Sequence, residues 1–531
     1  MARRTVLLLM FLGGTAAGAA AQRTPDPDTM LTRAERSGYR ETSRYEDVVA
    51  FAHALAETSD RLHVTTFGYS FEGRPLPLVV YGEVPDATPQ AVLASGRLRV
   101  LLQANIHAGE VEGKEALQIL LRELTQGEYD AWADSLVLLV APIYNADGNE
   151  RVRLTNRPLQ NGPIGGMGQR PNAQGLDLNR DHMKLESPEA RSLVLLLDAY
   201  DPHVVVDLHA TNGTVHAYHL TYSPPLHPNT HPAITGFLRE VWLPAATRDM
   251  RRDYGWEMFH YGNIPSEEAD AERGWYTFDH RPRFNNNYVG LRNRFAILGE
   301  AYAYASFEER IVATFGFLEA LLDFAHAHAG RIRAITALAD AETILRDSLA
   351  TRARIARAPA DATILLGDVV RDRHPLTGQP LLRRLDVQIP EVMPLYDRFA
   401  PSELEAVPAA YLVPPGLEDT IALLEAHGVA YQRLPRETAL RVEEFHIDSM
   451  AIAERPFQGH HERTLFGAYL PTGRAVPAGT LVVPVDQPLG RLVFSLLEPR
   501  SDDGVVAWNV LDVALQGAAV YPIRRTSTPV R

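Results

Sequence analysis

The chain has 531 residues, more than one compact core accommodates at roughly 100 to 200 residues per domain, so two or three folded units are expected. Hydrophobic residues make up 46% and charged residues 22%, a balance that excludes a largely disordered chain. Lys and Arg total 52 against 66 for Asp and Glu, a net charge of −14 that argues against nucleic acid as a partner; with no cysteine, disulfides, thiol nucleophiles and thiolate metal sites are excluded. At the N-terminus, Arg3 and Arg4 precede an apolar run from Val6 to Leu12 and the small residues Ala19-Ala20-Ala21, the pattern of an export signal (1–21). That run is well short of the roughly 20 residues a membrane-spanning helix needs, and no later segment is long enough. A periplasmic or extracellular protein with no membrane span after cleavage is therefore expected, with the export route open.

From about residue 30 to 330, apolar strand-like runs alternate with amphipathic helical patterns, as a sheet covered by helices on both faces requires. Leu98 to Ile106 reads as a strand. Leu117, Leu120, Leu121 and Leu124 then fall at helical spacing, so a helix follows it directly. Leu136 to Ile143, Val204 to Leu208 and Phe295 to Leu298 read as further buried strands, and polar residues collect beyond their C-terminal ends, where open α/β sheets bind ligands. A helical stretch from Phe307 reaches Gly330, and 331–358 reads as a helical connector ending at Ala358-Pro359. Residues 360–531 are expected to form a smaller mixed α/β or β-rich domain, with a helix near Leu417 to His427 and strand-like runs at Leu481 to Val485 and Arg491 to Leu497.

The first strand ends in His107-Ala108-Gly109-Glu110, and a His and a Glu three apart at a strand-to-helix turn can face one cation. A third ligand is then required, and Val204 to Leu208 delivers His209 from another strand end. Between them, Asp177-Leu178-Asn179-Arg180 sets an Asn beside an Arg, whose fork binds carboxylates. Each piece has a plain structural alternative: a surface His and Glu, a core His, a turn with ion pairs.

Together, His-x-x-Glu, Asp-x-Asn-Arg, a downstream strand His and a late strand ending in Glu resemble the M14 zinc metallocarboxypeptidases of the carboxypeptidase A type. Phe71-Glu72-Gly73-Arg74-Pro75-Leu76 and Asn145-Ala146-Asp147-Gly148 support the match. The resemblance covers roughly residues 30 to 330. It implies a mixed, mostly parallel doubly wound α/β sheet, one Zn2+ per chain on His107, Glu110 and His209, Glu300 as general base and a peptide with a free C-terminus as substrate. It further implies Arg170 as oxyanion partner, with Arg157 as the alternative, Asn179 and Arg180 as the carboxylate clamp, Asp177 behind His107, and Tyr288 as a substrate-capping tyrosine. Arg292 and Arg294 are open to either substrate binding or structural ion pairing.

The sequence departs from the family where Asp181-His182-Met183 replaces the aromatic residue that often follows the Asn-Arg pair, which leaves the terminal pocket undefined. The leading expectation is an exported zinc metallocarboxypeptidase. A zinc amidohydrolase of the same fold, acting on cell-wall peptides or acylated amino acids, and a non-catalytic peptide-binding protein are the rivals. Side-chain preference and oligomeric state are not encoded in these motifs.

Overall fold

The computed structural model describes residues 30–530 apart from 212 and 267; the expected signal, 1–21, lies outside the described residues. Its centre is an eight-stranded sheet built from β1 (Leu62–Tyr69), β2 (Pro75–Tyr81), β3 (Leu98–Ala104), β4 (Leu136–Ala141), β5 (Val204–Ala210), β6 (Leu220–Ser223), β7 (Met258–His260) and β9 (Phe295–Ala301). The spatial order is β1-β2-β4-β3-β5-β9-β6-β7. The four middle strands, β4, β3, β5 and β9, are parallel, while β1, β2 and the β6 edge run against their neighbours. Every residue of β3, β4 and β5 is buried, which is why these strands read as unbroken apolar runs rather than as alternation.

Strand β4 lies on one side of β3 and β5 on the other. The helix after β3, Glu112–Gln126, packs on one face with Phe307–Ala341, whereas Pro188–Tyr200, before β5, packs on the opposite face. Between β3 and β5 the chain therefore switches direction of winding, and a crevice opens beyond the carboxyl ends of the strands. Local signals set the helix starts: the Ser187 hydroxyl accepts from Ala190 N at 3.1 Å, and Ser306 and Glu309 form a reciprocal capping box.

The second face is covered partly by the C-terminal region. There an antiparallel sheet of six strands, including Ala410–Val413, Leu481–Pro484 and the long hairpin Thr438–Ile452/Arg463–Val476, carries helices Glu418–Ala426 and Gly490–Leu497. Tyr411, Phe445 and Phe494 of this region belong to the same apolar cluster as Leu101, Val137 and Val205 of the central sheet. A two-residue strand, β8 (Trp275–Tyr276), pairs with Leu395–Tyr396 and makes a second junction.

Two expected elements differ. The long helix continues to Ala341 and Ser348–Ala356 is a strand, so 331–358 is not helical throughout. Arg491 to Leu497 lies in a helix that is buried all round, and a short apolar run with no polar stripe carries no period to tell helix from strand.

Candidate active site

His107 follows the end of β3, Glu110 lies in the turn just before the next helix, and His209 sits near the end of β5; all three are buried. Parallel pairing brings them together, because Ala104 is the register partner of Leu208. The two Glu110 oxygens lie 3.0 Å from His107 Nδ1 and 2.9 Å from His209 Nδ1, and the two Nδ1 atoms are 3.2 Å apart. Each outer nitrogen faces a carboxylate: His107 Nε2 is 3.0 Å from Asp177 Oδ1, and His209 Nε2 is 3.0 Å from Asp207 Oδ2.

This arrangement calls for positive charge. With the outer nitrogens donating to carboxylates, the inner lone pairs face one another and Glu110, which is repulsive unless a proton or a cation lies among them. As it stands, burial lowers the His209 pKa, but Asp207 and Glu110 outweigh it and hold that imidazole well above its usual value. Burial likewise raises Glu110, and the charges of His107 and Arg157 overcome it, keeping the carboxyl well below the carboxylate range. A dication satisfies the same demand with three donors at once. Imidazoles oriented by outer carboxylates, plus one carboxylate ligand, form a donor set that fits zinc.

Glu300, on β9, is the register partner of His209 and borders the same cleft of about 430 Å3. Burial pushes its carboxyl up to about 8 against the opposing charge of His209. Arg157, Arg170, Asn179 and Arg180 also line this cleft. Arg157 is committed to Glu110, with Nη2 2.7 Å from Oε1. Arg170 is anchored on Asp177 through Nε at 2.9 Å, while its Nη1 stands 3.9 Å from Glu110. The Asn179 Oδ1 accepts from Asn285 N at 2.9 Å, which leaves its Nδ2 for the cleft, and the Arg180 guanidinium lies 3.8 Å from the centre of the Phe284 ring. The Asn145 Nδ2 ties Ile106 O to Arg170 O, both at 3.2 Å, while Asp147 binds Ser70, Glu72 N and Arg74, so the two supporting motifs brace the end of β3.

Tyr288 is corrected: it is fully buried, with its hydroxyl 2.8 Å from His427 Nδ1 and accepting from Arg292 Nη1 at 3.1 Å, and it does not border the cleft. Its helix turns it into the core shared with the C-terminal region. The phenol in the cleft is Tyr261, which burial and the neighbouring Glu300 keep protonated. Arg292 and Arg294 pair with Asp198 and Asp201, and so are structural. Asp181 and His182 are buried outside the cleft, and the pocket beside the Asn-Arg pair is formed by Phe278, Phe284 and Asn286.

Several contributors were not singled out in the sequence. Asp207 stands two residues before His209, and its Oδ2 also accepts from Asn285 Nδ2 at 3.0 Å. A carboxylate beside a strand-end His is a readable signal for a buttressed ligand. Gln458, at the turn of the long C-terminal hairpin, accepts from Asp177 N at 2.9 Å; no local pattern could have indicated a contact across so much intervening chain.

The fold and the donor set define an α/β protein with a buried His-Glu-His cluster, able to hold a metal ion, at the carboxyl ends of its central strands. Residues 48–231 match the Peptidase_M14 family, zinc carboxypeptidase. Carboxypeptidase 2 of Trichophyton tonsurans is 23% identical over 509 residues, covering 91% of this chain and 86% of its own length. Carboxypeptidase D of Rattus norvegicus is 35% identical over 183 residues, 29% of this chain and 13% of that protein. Among solved structures, a metallo-carboxypeptidase from Burkholderia cenocepacia aligns at 16% identity with a TM-score of 0.40, over 54% of this chain and 70% of that one. Over residues 48–231 the chain is thus similar to the M14 zinc carboxypeptidases, and over most of its length to proteins named carboxypeptidase 2. Among its described residues, no helix is long and apolar enough to cross a membrane.

Proposed function

We propose that the protein is exported and hydrolyses the C-terminal peptide bond of peptides, with residues 30–330 as the catalytic domain and 360–531 as an accessory domain whose Gln458 holds Asp177 behind His107. The observation that carries this reading is that the His107, Glu110 and His209 donors, Glu300 and the Asn179–Arg180 pair open on one space. One zinc ion per chain, held by the three donors, would supply Lewis-acid activation of water and of the scissile carbonyl. Glu300 takes the proton from the attacking water and returns it to the leaving amine. It must be ionised to begin, and positive charge beside Glu110 opposes the burial that raises it. Asn179 and Arg180 receive the terminal carboxylate, with the guanidinium set in place by its stack on Phe284. Arg170 steadies the negative charge developing on the carbonyl oxygen, since Arg157 is already engaged by Glu110. Asp177 fixes the outer nitrogen of His107 and thereby the direction of its inner lone pair.

The test is incubation of the mature protein with a peptide library in free-acid and C-amidated forms, with and without a zinc chelator, read by mass spectrometry. Chelator-sensitive loss of single C-terminal residues from the free acids alone is expected. Equal attack on amidated peptides, or internal cleavage, would overturn the clamp and favour an amidohydrolase acting on other amides. The absence of turnover with zinc bound would point to a binding role.

A further inference from the structure

A second cavity of about 430 Å3 adjoins the catalytic cleft. Its inner wall is the loop 154–167, through Leu154, Pro158, Leu159 and Met167; its outer wall is Pro380 and Leu381, from the hairpin Val369–Arg373/Pro380–Arg384 that follows the catalytic fold. Leu382 N donates to Leu159 O at 3.0 Å and Arg384 N to Tyr304 O at 2.8 Å, so the hairpin is fixed against the rim of the cleft. Arg157 borders both spaces, with its head on Glu110 and its stem beside the cavity. The junction is tight: a Cβ added at Gly109, in the metal-binding turn, would lie 2.8 Å from Arg157 Cγ and from Gly168 O. The loop is tied on its other side to the segment that follows β9, because Asn161 N donates to Ala303 O at 3.1 Å.

The lining is mainly Leu, Pro, Met and Gly, and its two ring or guanidinium groups are engaged within the fold. His374 Nδ1 accepts from Leu376 N at 3.2 Å and Thr377 N at 3.3 Å, and the Arg157 guanidinium serves Glu110. What is left for a ligand is mainly apolar, and Leu154 and Leu159 remain 41% and 40% exposed beside it. Large apolar side chains left in water next to an apolar hollow mark a place where a further apolar group can be buried.

We propose that this cavity is a substrate subsite for an aliphatic or aromatic side chain on the amino side of the scissile bond; the inference rests on the carboxypeptidase reading above. Glu110 Oε1 lies 2.7 Å from Arg157 Nη2 and 3.9 Å from Arg170 Nη1, and Arg157 lines both the cleft and the cavity. A peptide whose terminal carboxylate meets the clamp and whose scissile bond lies at Glu110 therefore has the cavity as a neighbour, across Arg157. Each extended residue covers about 3.3–3.6 Å, so the three residues before the bond together span about 10 Å, the reach over which the subsite is sought. The hairpin that completes the cavity lies outside the 48–231 segment that matches the family, which places this specificity in the region that follows the matched segment.

The test is kcat/KM for acetylated peptides that share the C-terminal residue removed fastest and carry Leu, Ala or Asp at each of the three positions before the scissile bond. At one position Leu is expected to exceed Asp by roughly tenfold to a hundredfold, the range for burying one such side chain. In Leu154→Asp, and independently in Leu381→Ala, the Leu-to-Asp ratio at that position is expected to fall at least severalfold. Release of the terminal residue from every peptide at equal rates, or an unchanged ratio in both variants, would overturn the subsite while leaving the carboxypeptidase reading intact. No release from any peptide would overturn that reading, and the subsite with it.

Discussion

Two buried charge clusters, one at the metal-binding turn and one where the C-terminal hairpin meets the catalytic region, use the same kinds of residue to opposite ends. Around Arg283 every charge has its complement: Nε donates to Asp503 Oδ1 at 2.8 Å, the backbone N to Oδ2 at 2.6 Å, and Nη2 to Glu462 at 2.5 Å. Trp508 Nε1 donates to Asp503 as well, and its ring lies 4.4 Å from the guanidinium. Around Glu110 the donors converge without a sufficient counter-charge of their own, and Glu300 is pushed up rather than paired. A satisfied buried network holds a fold together; one left short of positive charge is built for a ligand.

The largest expected effects break the second cluster. Glu300→Gln should cut kcat by about 10²- to 10⁴-fold while zinc content, measured by elemental analysis, stays at one per chain. His209→Ala should lose the metal itself. Retained activity in Glu300→Gln would remove the general base from the scheme.

Breaking the first cluster should act on stability instead. Arg283→Ala strands Asp503 in the core and is expected to lower unfolding free energy by about 3–5 kcal/mol in denaturant titrations, with zinc still bound by the folded fraction.

A third buried carboxyl sharpens the contrast. Glu498 accepts from Tyr411 and Tyr469 at 2.9 and 3.2 Å, and burial pushes it up to about 7 despite Arg525 at 3.7 Å. Between its ordinary value of 4.5 and about 7 the folded state holds a proton that the unfolded state has released. Its contribution to stability is therefore fully present below pH 4.5 and lost as pH rises toward 7, by at most about 3 kcal/mol. Unfolding curves recorded across that window should show the decline, and Glu498→Gln should flatten it.

Smaller effects probe the join between the two regions. Arg180→Ala should raise KM for free-acid peptides by about 1.5–3 kcal/mol, roughly tenfold to a hundredfold, with little change in kcat. Gln458→Ala removes the acceptor of Asp177 N and should lower kcat/KM by about 1 kcal/mol, a few-fold, with metal affinity falling in step. A loss confined to thermal stability would make Gln458 a purely structural contact.

The donors His107, Glu110 and His209 were legible because each stands where an apolar strand run stops, and a strand end is a local feature. The helix starts at Ser187 and Ser306 were equally local. Tyr288 was misplaced because its position in the chain says nothing of which way a short helix turns it; packing against His427 decided that. The same limit hid Tyr261, Gln458 and the apolar cavity, whose walls come from segments more than 200 residues apart.

By itself, then, the sequence determined the class of sheet and the positions of His107, Glu110 and His209 at its strand ends, since hydrophobic periodicity and residue spacing act over a few residues. Only the tertiary structure decided which carboxylates stand behind the imidazoles, which phenol enters the cleft and how a C-terminal hairpin closes the apolar cavity next to it. Those choices depend on strand register and on packing between distant segments, which no local pattern records.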